Sequence, residues 1–314
     1  MNVLRSLRRS PAFTALAVGI LALGIAAAAA VLDVVDAAFL RPLPFAEPSR
    51  LVTLWQVSGG TDITLDGADF LDWKAQAGAF EEMAAVSARG FTLTGADRPE
   101  RVEGAIVSGG FFALLGTPPL LGRAVGAGHA RTAVLSEPFW RSRFGADPSA
   151  VGRTITLDGE PVEVTAVMPA RFAYPPAAQV WISARTRVPD HPTYPIDPEH
   201  DRVRHYLTVL ARLRPGITPA QAGTALQAVQ ARIAADFPDD ERGISARVVP
   251  LREQMFGKLR PVLLGLGAVA ALLFLVAWAN AAHLFLARAI AREHEMAVRV
   301  ALGATRASMW RRFF

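Results

Sequence analysis

The chain has 314 residues, 52% of them hydrophobic and only 19% charged, against roughly 25% charged in an average soluble domain. It contains no cysteine, which excludes disulfide frameworks, thiolate chemistry and cysteine zinc sites. The net charge of +5 belongs to the ends: residues 1–10 and 288–314 hold 9 basic and 2 acidic side chains, and the intervening loop 24 and 26. The loop therefore has no basic excess with which to bind nucleic acid.

In chain order, the first element is an uncharged run from Pro11 to Leu32, 22 residues and ~33 Å of helix, enough to cross ~30 Å of hydrocarbon. Ser10 is placed to cap it, and Pro11 suits a first helical turn. Ala28 and Ala30 resemble a signal-peptide cleavage site, but the uncharged run exceeds the length of a signal-peptide core. The next predicted helix covers Ala68 to Ala85, with Phe70, Trp73, Ala77 and Phe80 toward the core. Asp66, Asp69 and Asp72 share one side of it, where an N-terminal turn favours negative charge.

Asp158-Gly159 between Thr154–Leu157 and Val162–Val164 predicts a hairpin with a type I′ turn and Ile155 opposite Val162. The proline-rich stretch from Ala173 to Pro198 reads as an irregular excursion. Leu207–Leu213 predicts a strand. Thr218-Pro219-Ala220-Gln221 then supplies an N-cap, a proline at N1 and a capping-box partner. Ala222, Leu226, Val229 and Ile233 form one apolar stripe, and Ile244–Val249 predicts a further strand. Strand, helix and strand in this order suggest an α+β subdomain.

The second uncharged run, Pro261 to Ala287, is 27 residues or ~40 Å if helical. Trp278 suits an interfacial anchor, and Asn280 and His283, three apart, share a face suited to helix–helix packing. With arginines outside both runs, the charge pattern places both termini in the cytoplasm and the large loop outside it. The tail from Ala287 predicts a short helix on the membrane surface, with Glu295 and Arg299 as an i,i+4 pair. Gly303 then breaks it, and Thr305 caps a successor.

Catalytic motifs are missing. Gly257-Lys258 is followed by Leu259, not by the Ser or Thr of a phosphate-binding loop, and Val298 stands where the second histidine of a His294-Glu295 zincin motif belongs. His191, His200 and His205 lie among Asp190, Asp197, Glu199 and Asp201, in a loop that reads as solvated surface rather than a metal site. No catalytic residue, cofactor or metal is expected.

The tail from Ala279 to Arg288 and from Arg292 to Arg306, A-N-x-A-x-L-x-L-A-R then R-E-x-E-x-A-V-R-x-A-L-G-A-T-R, resembles the MacB- and FtsX-like permeases of ABC-type systems. So do Phe111–Gly116, Val134–Ser136, Trp140–Gly145, Val151–Ile155 with Asp158-Gly159, and Val167–Pro169. Leu4–Thr14 is similar to the opening of a subgroup of duplicated, ATPase-orphaned permeases. The resemblance implies a membrane protein of α+β class, with two transmembrane helices flanking a two-lobed α+β periplasmic domain: a porter-like strand-helix-strand lobe and a second lobe.

The implied division is a cytoplasmic N-terminus at 1–10, helix and stalk at 11–40, and a periplasmic core at 41–255. A second transmembrane helix follows at 256–290, then a cytoplasmic coupling segment at 291–314. Glu295, Arg299, Gly303, Ala304 and Arg306 would contact a separate cytoplasmic ATPase subunit. The further partners implied are a second permease copy, or the other half of a duplicated one, and the lipid bilayer. Relatives carry three helices after the domain, so a chain ending at Phe314 is expected to be a fragment or part of a split gene. The role implied is the permease part of an inner-membrane exporter acting on a lipoprotein, peptide or amphiphile. A two-span sensor or scaffold, or a transport-inactive regulator of an envelope enzyme, stays open beside it.

Overall fold

A computed structural model describes residue 19, residues 22–30, residue 33, and residues 42–95, 98–124 and 131–301. The chain divides into two units, one formed by Pro42–Gly257 and the other by Met1–Arg41 with Lys258–Phe314.

The first unit contains β1 Leu51–Ser58, β2 Thr61–Ile63, α1 Gly67–Gln76, β3 Phe80–Thr94 and β4 Glu100–Val107. Next come α2 Phe111–Leu115, β5 Leu121–Gly122, β6 Thr132–Ser136, α3 Glu137–Phe144, β7 Thr154–Leu157, β8 Glu160–Met168 and β9 Val180–Ser183. It ends with β10 Thr208–Leu213, α4 Pro219–Asp236, β11 Ile244–Pro250 and α5 Leu251–Phe256. Among the described residues these strands make one eleven-stranded sheet in the order β11-β1-β10-β3-β4-β9-β6-β8-β5, with β2 on β1 and β7 on β3 and β8. β10 and β11 both run antiparallel to β1 and flank it, joined by α4. This is the expected strand-helix-strand arrangement. The capping box at Thr218 and Gln221 is formed, and Ala222, Leu226, Val229 and Ile233 are all buried.

The two ends of the sheet are joined by the 15-residue β3. Its first half pairs with β10 from Phe80 to Val86, and its second half with β4 from Val86 to Leu93. Strand alternation then sorts the core onto two faces. On one face, Val52, Leu54, Met83, Ala85, Val209 and Ala211 bury against α1 and α4 at one end. At the other end Val102, Ile106, Ala133, Leu135, Val162 and Val164 bury against α3. The opposite face carries Ala84, Val86, Ala105, Val107, Val134 and Leu210, which belong to one cluster reaching across both ends.

The hairpin closes as expected. Ile155 pairs with Val162, and Asp158 and Gly159 both have positive φ, 51° and 81°. The Asp158 carboxylate also accepts from the Thr92 N–H at 2.8 Å and from Arg89 at 2.6 Å.

Within this unit two expectations change. The helix predicted to Ala85 ends at Gln76, and Phe80 opens β3. Pairing with β10 and β4 satisfies this backbone and overrides the helix propensity of Met83-Ala84-Ala85. The proline-rich stretch also contributes β9, inserted between β4 and β6 with all four residues buried. A strand covered on both faces shows no polar alternation to reveal it.

Parallel pairing of β4 with β9 depends on Gly104, which lies opposite Val180. A Cβ at that position would fall under 3.0 Å from the Val180 carbonyl oxygen and its Cγ1. Gly104→Ala should lower unfolding stability by about 1–3 kcal/mol. An unchanged denaturation midpoint for this variant would contradict the register.

In the second unit, residues 22–30 are helical, and α6 Arg260–Ala301 runs unbroken for 42 residues, about 63 Å. Pro261–Ala279 is the helix among the described residues that is long and apolar enough to cross a membrane. The short surface helix expected after Ala287 is instead the continuation of α6. Residues 288–301 contain neither Gly nor Pro, so nothing stops helix propagation there. Gly24 is buried, and a Cβ on it would lie 3.8 Å from the Ala277 Cβ, so small residues set this helix–helix contact.

Candidate functional site

Both ends of the Pro42–Gly257 unit enter one core cluster. Leu43 and Phe45, on the segment leading in, and Leu251, on the helix leading out, are buried there. Met255 and Phe256 are partly buried against it. The cluster is floored by β1, β3, β4 and β10 and filled by α2, where Phe111, Phe112, Leu114 and Leu115 are all buried.

The aromatic rings form a connected set around Phe172. Its centroid lies 5.1 Å from Trp181, 5.9 Å from Phe45, 5.9 Å from Phe112 and 6.1 Å from Phe111. Most of these contacts are edge-to-face, the arrangement the ring quadrupole favours. The Trp181 indole N–H donates to the Tyr174 carbonyl at 2.8 Å, so its buried polar atom is satisfied.

Polar contacts lock the leading-in segment onto this core. The Ala46 N–H donates to the Leu115 carbonyl at 2.9 Å, and the Thr117 hydroxyl to the Pro44 carbonyl at 2.8 Å. Arg212, 7% exposed and projecting from β10, donates to the carbonyls of Ala46 and Leu114 and approaches Glu47 at 3.4 Å. Arg50 donates to the Leu213 carbonyl and pairs with Glu47 and Glu81. Gly116, at φ 63°, ends α2 where a Cβ would meet that of Ala46 at 2.5 Å. A buried guanidinium spread over two backbone carbonyls, beside packed aromatic rings, resists local opening. The arrangement ties both ends of the unit to its sheet. It contains no nucleophile paired with a base.

The sequence-predicted site residues lie elsewhere. Glu295 and Arg299 occur on α6 at i,i+4 spacing, and Gly303, Ala304 and Arg306 fall outside the described residues. Asn280 and His283 are also on α6, with His283 exposed. Of the loop histidines, His200 is exposed beside Asp197 at 2.7 Å. His191 is only partly exposed, and its Nδ1 accepts from the N–H groups of Thr193 and Tyr194. His205 is half-buried, 3.8 Å from Asp66. The loop is thus partly a folded surface that packs on the domain, not a wholly solvated one. Sequence reading missed Arg212 and Phe172. A lone arginine inside the apolar strand Thr208–Leu213 was the available signal for the first, whereas Phe172 lies outside any periodic element.

The MacB-like periplasmic core domain family matches residues 14–229. A domain of a candidate permease protein from Porphyromonas gingivalis shares the fold, with a TM-score of 0.50 and 13% identity over 66% of this chain and 91% of that one. The periplasmic region of MacB from Actinobacillus actinomycetemcomitans aligns at TM-score 0.49 and 10% identity, covering 71% of this chain and 98% of that one. The extracellular domain of the noncanonic ABC-type transporter YknZ from Gram-positive bacteria aligns at 0.43 and 12%, covering 63% and 99%. Comparison with curated protein sequences finds no match. The Phe111–Gly116 motif that carried the resemblance fills the core cluster that joins both ends of the unit, its base, and the chain belongs to the MacB/FtsX-like permease family, whose periplasmic core domain it carries.

Proposed function

We propose that this chain is the permease component, or part of one, of an inner-membrane ABC-type exporter. Motion driven by a cytoplasmic ATPase passes through its helices to the periplasmic domain. The observation that supports this reading is the base, where the segments nearest both helices are built into one core with Phe172, Trp181 and Arg212. A domain hung on loose linkers would absorb a push; one held at both ends turns with it. In this reading both termini are cytoplasmic, and residues 11–40 and 256–290 contain the two spans. Asn280 and His283 contact a neighbouring helix of a second permease copy or half. The cargo is a lipoprotein, peptide or amphiphile extracted at the outer membrane face, without crossing the bilayer interior.

Glu295, Arg299, Gly303, Ala304 and Arg306 form the surface that meets the ATPase. The test is ATP hydrolysis by the cognate ATPase co-purified with this permease in lipid nanodiscs. Glu295→Arg should reduce its stimulation about tenfold, equivalent to a coupling loss of ~1.4 kcal/mol. The double variant Glu295→Arg, Arg299→Glu restores the intrahelical pair but not the outward charge pattern, so it should stay uncoupled. Full stimulation by the single variant would overturn the coupling assignment. Recovery in the double variant would reduce Glu295 to a helix-stabilising role.

A further inference from the structure

The face of the sheet opposite the base holds a buried carboxyl cluster that the force-transmitting reading does not use. Asp66 caps α1, Asp69 lies in its first turn, and Glu241 is in the loop between α4 and β11. All three are fully buried, and one carboxyl oxygen of each lies within 4.8 Å of the others.

Donors are shared unevenly among them. Asp69 takes the most: Arg202 pairs with its Oδ1, and the amides of Gln56 and Gln230 donate to its Oδ2. Asp66 Oδ1 accepts from the Asp69 N–H at 2.8 Å, and Glu241 Oε2 from the Gln230 amide at 2.9 Å. The Trp73 N–H, donating to Gln230 Oε1 at 2.7 Å, keeps that amide's nitrogen toward the acids. Asp66 Oδ2 and Glu241 Oε1 are buried without a donor. Glu241 and Asp69 are also hydrogen-bonded to each other. Two carboxylates offer only acceptors, so that bond needs a proton on one of them. Asp69, with a guanidinium and two amides, is the better-supported anion, which leaves the proton to Glu241. An ionised Asp66 would keep Oδ2 bare in a dry interior, whereas a protonated one supplies its own donor.

The surroundings do not neutralise the cluster. Arg202 divides its guanidinium between Asp69 and Asp72. Asp201, His205 and Tyr206 approach from the loop before β10, while β1 and α4 add the neutral amides of Gln56 and Gln230. His205 Nδ1 stands 3.8 Å from Asp66 Oδ2, too far for a hydrogen bond, and burial holds the imidazole below its ordinary range. Asp239, Asp240 and Arg242, beside Glu241 in its loop, are exposed. Burial, then Asp69, pushes Asp66 up to about 7; burial, then Asp69 and Asp66, pushes Glu241 up to about 8. Burial raises Asp69 as well, but Arg202 and Gln230 oppose it.

We infer that Asp66 and Glu241 carry protons at neutral pH and latch the α4–β11 loop onto α1, and that this latch loosens as the pH rises. Both groups lie above their ordinary range in the folded chain, so their stabilisation is complete in acid and is lost as pH rises through about 7 and 8. His205, Asp197, Glu199 and Asp201 are shifted the other way, so what they contribute is lost as pH falls. Alkaline pH therefore isolates the two protonated acids.

The test uses the full chain in detergent between about pH 7 and pH 9. In D2O, infrared spectra of the wild type should show protonated-carboxyl absorption at neutral pH that titrates away by pH 9. Calorimetric Tm should fall by about 4 °C over the same range. Glu241→Gln replaces the protonated acid with a neutral donor, and Asp66→Asn keeps a helix cap, so both should fold. The double variant should lack the absorption and hold its Tm level. Loosening is read from tryptic cleavage after Arg242. Its rate in the wild type, divided by that in Glu241→Gln at each pH, cancels the protease's own response and should rise about tenfold. Equal protonated-carboxyl absorption in the wild type and the double variant would overturn the protonation. A Tm slope unchanged in the double variant would do the same, and a flat cleavage ratio would overturn the latch.

Discussion

Replacing Phe172 with alanine should lower the unfolding free energy by about 3–5 kcal/mol, the range for deleting a buried aromatic side chain. The ring is 2% exposed and touches four other aromatic rings from three separate segments, Phe45, Phe111 with Phe112, and Trp181. Its loss leaves a cavity that no single neighbour can fill. Trp181 packs on it at 5.1 Å, so its fluorescence, isolated by replacing the other tryptophans with phenylalanine, reports the site during denaturant unfolding. Phe172→Leu keeps most of the volume and should recover part of the loss. If Phe172→Ala costs less than ~1 kcal/mol, the ring is not the hub of the base, and the rigid connection between the two ends of the unit loses its core.

Arg212→Met should cost about 3 kcal/mol for a different reason. Methionine fills the space of the side-chain stem but donates nothing, so the carbonyls of Ala46 and Leu114 lose a shared donor inside the core. An unsatisfied buried acceptor costs about 1–3 kcal/mol, and relief from burying a charge returns part of that. Arg212→Lys should fare little better, since a point ammonium cannot reproduce a fork across two carbonyls. Amide hydrogen exchange gives the decisive readout. Exchange at Ala46, whose N–H bonds the Leu115 carbonyl, should accelerate far more than exchange in β6 or β9. Uniform acceleration across the unit would mean that Arg212 supports general stability only. Selective fraying of residues 42–47 together with loss of ATPase stimulation would link the guanidinium to transmission.

What could be read in advance divides by range. The Asp158-Gly159 turn, the Thr218–Gln221 capping box and the apolar stripe of α4 depend on contacts within about four residues, and all three form as written. The helix drawn from Ala68 to Ala85 fails in its second half because the partners of β3 lie more than a hundred residues later in β10 and just beyond it in β4. The surface helix after Ala287 fails for the opposite reason: local propensity with no breaker extends α6 through to Ala301. The acidic residues at 66, 69 and 72 were visible as one helix side. Their burial was not, because Gln56, Gln230, Glu241 and Arg202 reach them from four distant segments.

The sequence by itself determined the apolar runs, the basic ends, the local turns and caps and the family pattern. Each of these is written in composition or short-range periodicity, where a residue and the neighbours that decide its conformation are adjacent. The tertiary structure alone decided that β3 joins both ends of one sheet, that Arg212 latches the leading-in segment, and that three acids come together in a buried cluster. Those outcomes depend on the free energy of groups brought together from across the chain, where burial turns an ordinary polar side chain into one that must find a partner.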